Sequence, residues 1–266
     1  MIIKEKITLD GAGNTRDLGN ISFGGKKIKN GMLIRSGNLA SLSERDIDTL
    51  ENKYKVKAVI DLRTDLEAKE APDVVLNGAN YYRLTPLTES AMGVTHEKAT
   101  GLELFTNGID IKIDPDTYMC EMYDKFLFSE HGMSEYRKFF DILLETDGCV
   151  LWHCSAGKDR AGMAAALAEL ALGVDEETIA EDFMLTNFFT EKEREEKLEM
   201  FLTYPGAKAI RDYIYALLSV SEKYIEHVIG GMKNDFGSVE GYFEKGIGLT
   251  ADEIYTLRNK YTESIN

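Results

Sequence analysis

The run from Cys149 to Gly173 limits most strongly what this chain can fold into. Cys149-Val150-Leu151-Trp152-His153 is a continuous apolar stretch of strand length. A short glycine-bearing loop follows, Cys154 to Lys158, and then an Ala/Leu-rich helix pattern, apolar nearly all round, that runs to Leu172. An unbroken apolar strand belongs in the interior of a parallel sheet, and a helix apolar on every side must be buried. Gly173 stands where such a helix stops, at a position that favours a left-handed backbone. The pattern therefore predicts strand, tight loop and helix, an α/β unit. At that junction, backbone N–H groups and the positive end of the helix dipole converge on one spot, which suits an anion.

Cys154 and Arg160 sit at the two ends of this loop. A cysteine at a helix N-terminus is stabilised as its thiolate, the nucleophilic form. An arginine six residues on can fold back with two parallel donors, the arrangement a phosphate prefers. Ser155, Ala156, Gly157, Lys158 and Asp159 offer backbone amides between them, and Gly157 allows an unusual φ where the loop turns. A thiolate, an amide cradle and a guanidinium fork together point to phosphate-ester hydrolysis through a cysteinyl-phosphate. The leaving oxygen needs a proton donor. Asp159, inside the loop, and Asp61, near the carboxyl end of the strand read over Val56–Arg63, are the two candidates, with Asp159 preferred. His153 is read as orienting the loop rather than as a base. Lys158 is read as a positive charge at the rim.

The stretch HCSAGKDR resembles the phosphate loop of the Cys-x5-Arg phosphatases, the protein tyrosine phosphatase superfamily. More narrowly it resembles the bacterial branch of Listeria LipA and mycobacterial PtpB, which carries an HCxAGKDR loop. Further stretches are similar to that branch: Asn14-Thr15-Arg16-Asp17-Leu18-Gly19, Arg35-Ser36-Gly37-Asn38-Leu39, Asp61-Leu62-Arg63, Phe183-Met184-Leu185-Thr186-Asn187 and Gly237-Ser238 through Tyr242. The resemblance covers most of the chain. It implies a protein-tyrosine-phosphatase-like fold, with a short, mostly parallel central sheet, helices on both faces and a C-terminal helical cap. It implies a tyrosine or dual-specificity phosphatase with phosphorylated proteins or phosphoinositides as substrates, Lys158 being the hint toward an inositol lipid. Arg16, Arg63 and His153 are expected to support the site, Arg16 either by lining the cleft or through a loop salt bridge with Asp17. The chain departs from the pattern at Asn20, where the branch more often has glycine, at Phe183, where it has tyrosine, and at Ala161. The superfamily usually has Ser or Thr after the arginine, and that hydroxyl helps the thiolate leave. Ala161 therefore predicts slow breakdown of the phosphoenzyme. It also keeps open an alternative, a phospho-ligand binding module with this fold and weak turnover.

Other readings of the loop fail on spacing. Gly157-Lys158 lacks the earlier glycine and the Ser/Thr of a Walker loop. His153-x-Ser155-x-Gly157 lacks the first glycine of a nucleophile elbow. A sulfurtransferase or arsenate reductase does not call for the Gly-Lys-Asp-Arg charges.

No Pro/Gly/Ser-rich linker or repeat divides the 266 residues, so residues 1–266 read as one domain. Residues 87–113 read as an irregular insertion, and 190–220 as two helices broken at Tyr204-Pro205-Gly206. In the resembling family such a pair forms a lid. Elsewhere, local signals predict a hairpin turn at Asn30-Gly31. Helix starts are expected at Ser41 (with Glu44, the helix running over about 42–53), Thr64 (with Glu67), Asp114-Pro115, Ser134, Asp175, Thr190, Pro205, Ser238 and Thr250. The net charge of −15 argues against nucleic acid as a partner. Four scattered histidines show no metal-ligand spacing, and no cofactor is called for. Three cysteines make no disulfide framework; Cys149 lies about 16 Å from Cys154 along the strand and reads as core. No apolar run is long enough to span a bilayer, and Met1–Asp10 lacks the h-region of a signal peptide. The expectation is a cytoplasmic protein, although a chain already relieved of a leader would read the same.

Overall fold

The computed structural model describes residues 6–88 and 113–265. Its strands are β1 (Arg16–Asp17), β2 (Ser22–Phe23), β3 (Lys26–Ile28), β4 (Leu33–Ser36), β5 (Val56–Asp61), β6 (Asn80–Arg83), β7 (Cys149–His153) and β8 (Thr262–Ser264). The longer helices are α1 (Glu44–Asp48), α2 (Asp65–Glu70), α3 (Pro115–Leu127), α4 (Glu130–Glu145), α5 (Asp159–Leu172), α6 (Glu176–Phe189), α7 (Glu191–Leu202), α8 (Arg211–Leu218), α9 (Glu222–Phe236) and α10 (Ala251–Tyr261). The main sheet has the order β1-β4-β7-β5-β6. It is parallel except for β1, and β7 lies in the middle. A small antiparallel sheet joins β2, β3 and β8.

The sheet divides the core by the two-residue alternation of its strands. Leu33, Ala58, Ile60, Val150 and Trp152 face α3, α4, α5 and α9, with Phe126, Phe139, Leu167 and Ile225 among their companions. Ile34, Val56, Val59, Cys149 and Leu151 face the other way, onto Ile7, Leu39, Leu42, Leu50 and Leu76. The helix α5 is buried at every residue from Arg160 to Leu172, as its all-round apolar pattern requires, and Gly173 ends it at φ 94°. The indole of Trp152 meets Phe139 edge-on and donates to the Ala161 carbonyl at 3.0 Å. That bond ties the strand before the loop to the helix after it.

Several local expectations are corrected. Asn30-Gly31 is a turn, with Gly31 at φ 71°, but it does not close a hairpin. The strands it joins, β3 and β4, enter different sheets; the hairpin is β2–β3, across Gly24-Gly25. The first helix is capped by Ser43 with Asp46, not Ser41 with Glu44, because the Asp46 carboxylate also accepts from the Asp10 and Gly11 amides. Its continuation, Thr49–Lys53, is wound as a π-helix. The cap of α4 is Ser129, which places Ser134 inside the helix. Thr190 makes no side-chain cap; its hydroxyl donates back to the Thr186 carbonyl. The caps at Thr64, Asp114, Asp175, Ser238 and Thr250 stand where the sequence puts them. Most of the expected insertion at 87–113 lies outside the described residues. Among the described residues no helix is long and apolar enough to cross a membrane.

Candidate active site

The parallel strands β4, β5, β6 and β7 all end on one edge, the usual place for function in such a sheet. Ser36 and Asp61 flank His153 in register there, and Cys154 follows it. The loop Cys154–Lys158 is held from behind by its carbonyls. Asn38 donates to the Ser155 oxygen through its amide (3.2 Å) and its side chain (3.0 Å). Asn14 Nδ2 and an Arg35 amino group reach the Gly157 oxygen at 2.8 and 3.0 Å, and the same Arg35 nitrogen reaches the Lys158 oxygen at 3.2 Å. In a trans peptide the C=O and the following N–H point opposite ways. Three carbonyls fixed outward thus turn the N–H groups of Ala156, Lys158 and Asp159 to the loop's inner side, at the start of α5. Gly157, at φ 66°, presses on the end of β4; a Cβ there would sit 2.6 Å from the Gly37 nitrogen and the Ser36 backbone.

The Arg160 fork, expected to meet phosphate, grips Glu67 in the described structure. The two pair through both guanidinium amino groups at 2.6 and 2.8 Å, and Ser155 Oγ donates to the same carboxylate at 2.5 Å. Burial works against the Arg160 charge, but Glu67 and the nearby Cys154 sulfur outweigh it and raise the guanidinium further. Burial likewise would push the Glu67 carboxyl up. The Arg160 contacts, with Ser155 and the Thr64 amide, bring it down to about 2 instead. Sequence reading found Glu67 only as a helix cap; its second partner is 93 residues away and leaves no local signal.

Asp159 lies at the mouth, its side chain 23% exposed. Tyr123 Oη donates to its Oδ1 at 2.6 Å, and Lys158 Nζ is 3.1 Å from the same oxygen. Lys158 is not a rim charge. It is buried, and its ammonium also donates to the Leu217 and Ser219 carbonyls at 2.8 Å each, at the end of α8. Asp61 is drawn inward: it is 3% exposed and accepts two bonds from Arg63, at 2.8 and 2.9 Å. Arg63 also meets Asp73 at 2.8 Å, and His153 Nε2 stands 2.9 Å from Asp73, off the line of a hydrogen bond. Asp61, Asp73 and His153 are close enough to share an ion, but the Arg63 guanidinium already lies on both carboxylates, so the group fits an ion-pair network better than a metal.

Arg16 neither lines the cleft nor pairs with Asp17. It is 2% exposed and joins Arg35 on Asp182 of α6, each at 3.0 Å, while Asp17 accepts from the Gly19 and Gly31 amides. Burial and the Arg16 charge beside it push Arg35 down to about 10, although Asp182 pulls the other way. Asn14, Arg16, Arg35 and Asn38 thus form the rear support of the loop, which gives the resembling stretches around them a physical role. Cys149 is core, and burial pushes its thiol well up.

Similarity to known proteins agrees with this geometry. The chain is 28% identical over 233 residues to a tyrosine-protein phosphatase of Nostoc commune, covering 85% of this chain and 72% of that one. It is 27% identical over 277 aligned positions to the triple specificity protein phosphatase PtpB of Mycobacterium tuberculosis, covering 94% and 96%. A looser likeness to the solved catalytic core of Siw14, with TM-score 0.35 and 14% identity over 88% of this chain and 96% of that one, carries no weight. The sequence profile of the tyrosine phosphatase family matches residues 7–263, and the chain belongs to that family.

Proposed function

We propose that the chain is a phosphomonoesterase of the tyrosine or dual-specificity type that works through a cysteinyl-phosphate on Cys154. The Cys154 thiolate attacks phosphorus while the three non-bridging oxygens sit among the loop amides and the Arg160 fork. The P–O bond to the leaving group breaks, and Asp159 gives that oxygen its proton. In the second step Asp159 takes a proton from water, the water oxygen attacks phosphorus, and the S–P bond breaks to release phosphate and thiolate. The supporting observation is the set of fixed carbonyls of Ser155, Gly157 and Lys158, which turns three amides toward the helix start beside Cys154. Such donors, ordered before substrate arrives, need no reorganisation as charge builds in the transition state. Asp159 is favoured over Asp61 as the acid because it is only half-buried, with a side chain 23% exposed, whereas both oxygens of Asp61 are held by Arg63. Glu67 fixes the Arg160 guanidinium through both amino groups, and an incoming phosphate takes the guanidinium edge that Glu67 leaves.

Substrates extend to phosphoinositides in this reading, since the similar mycobacterial enzyme is named for three specificities and a lysine stands in the loop. The segment 190–220 acts as a cover, held at its end by Lys158. Ala161 leaves the second step without a hydroxyl, so the phosphoenzyme accumulates. Hydrolysis of p-nitrophenyl phosphate tests the proposal. The wild type should release nitrophenolate in a burst followed by slower turnover, and Cys154→Ser should release none. Activity that survives in Cys154→Ser overturns the nucleophile. Phosphate binding without turnover in the wild type favours the binding module. A panel of phosphopeptides and phosphoinositides compared by kcat/KM then fixes the substrate class.

A further inference from the structure

Among the described residues, only one of the two oxygens of Asp159 is engaged. Oδ1 accepts the Tyr123 hydroxyl at 2.6 Å and faces the Lys158 ammonium at 3.1 Å. Both neighbours are donors, so Oδ1 is the acceptor oxygen of the carboxyl, and a proton held by Asp159 must reside on Oδ2. We propose that Tyr123 is a positioning residue that fixes the rotamer of Asp159 and directs its transferable proton to Oδ2. The proposal rests on the reading of Asp159 as the proton donor.

The surroundings of Tyr123 suit this task. Its side chain is fully buried and comes from α3, an element separate from the loop. Phe126 and Tyr224 lie 5.2 and 5.5 Å from its ring, and Phe183 meets it edge-on at 6.4 Å. A ring wedged among three others has little freedom to swing. Its hydroxyl therefore reaches one fixed point, and a buried hydroxyl without a partner is costly. Burial, with Asp159 beside it, raises the phenol well above its ordinary range, so it remains a donor at any working pH. Lys158 shares the oxygen but owes two of its three hydrogens to the Leu217 and Ser219 carbonyls. Tyr123 is the contact that persists if the segment 190–220 moves.

A misplaced proton donor costs most where the leaving group needs the proton most. Nitrophenolate leaves readily without help; unsubstituted phenolate does not. Tyr123→Phe, which keeps the ring and deletes only the hydroxyl, should lower kcat/KM for phenyl phosphate roughly tenfold, the effect of one hydrogen bond to a charged group. The loss for p-nitrophenyl phosphate should stay below about threefold, with the inhibition constant of inorganic phosphate unchanged. Asp159→Asn should show the same selectivity, more strongly. Para-aminophenylalanine at position 123 retains a donor and should restore the phenyl phosphate rate, which keeps the test decisive if the phenylalanine variant folds poorly. Equal loss on both substrates, or none, in Tyr123→Phe beside a selective Asp159→Asn overturns the positioning role alone. A non-selective Asp159→Asn overturns the acid assignment, and this proposal with it.

Discussion

Glu67 shows how much one side chain can decide. It is the third helical residue of α2 and accepts the Thr64 amide, so it caps its own helix. It also pairs with the Arg160 guanidinium, the proposed phosphate fork. Its carboxyl is lowered from 4.5 to about 2 against the pull of burial, a difference of roughly 3 kcal/mol between the charged and neutral forms. A carboxyl lowered on folding contributes stability that is fully present above its unfolded range and fades as pH falls through the folded value. Urea unfolding should therefore show the wild type losing its advantage over Glu67→Gln between about pH 5 and pH 2. At neutral pH the variant should be less stable, with kcat reduced roughly tenfold as Arg160 loses its planar partner. A stability gap that stays constant across that pH range would show that the pairing contributes nothing to folding. No sequence pattern announces this role. The Thr64–Glu67 spacing is local and readable, whereas the link to Arg160 exists only once β5 and β7 lie side by side.

Between elements, the firmest attachment is that of α6 to the sheet. Asp182 projects from α6 onto Arg16 of β1 and Arg35 of β4, and all three are nearly inaccessible. Two guanidinium groups share one carboxylate. Burial would raise Asp182, and the two arginines instead lower it. The nearby Glu169 carboxyl is pushed well up by burial and by Asp182, so it adds little to their neutralisation. Asp182→Ala strands both arginines and should cost about 3–5 kcal/mol in equilibrium unfolding. Because Arg35 also holds the Gly157 and Lys158 carbonyls, phosphate binding should weaken as well; full phosphate affinity in a destabilised Asp182→Ala would separate loop support from fold stability. The central strand, the loop and the buried helix were legible because their signal is a contiguous pattern of apolar residues, one cysteine and one arginine. Asp182 was not, since a single acid in a helix looks solvated until its partners, 147 and 166 residues earlier, are brought beneath it. The start of α4 was misjudged for a related reason: Ser129 and Ser134 offer the same hydroxyl, and only the Gly132 amide at 3.0 Å selects the first.

Across the whole molecule, the loop and the segment 190–220 meet through Lys158. Part of that segment packs around a small core of its own, Phe201, Ala207 and Ile214, while Ala216, Leu217 and Val220 join the main core beside the sheet. Asn187, at the end of α6, pins its two stems together by donating to the Val220 carbonyl at 2.7 Å and accepting the Val220 amide at 2.9 Å. The Lys158 bonds to the Leu217 and Ser219 carbonyls tie the loop to the end of α8. Two hydrogen bonds from a charged donor are worth on the order of 2–3 kcal/mol in opening free energy once the loss of the buried charge is allowed for. Lys158→Met should therefore speed amide exchange in Arg211–Leu218 by roughly 10–100-fold, while exchange in the buried helix Asp159–Leu172 stays slow. Equal protection of Arg211–Leu218 in wild type and variant would mean that this segment is held by its own packing and not by the loop.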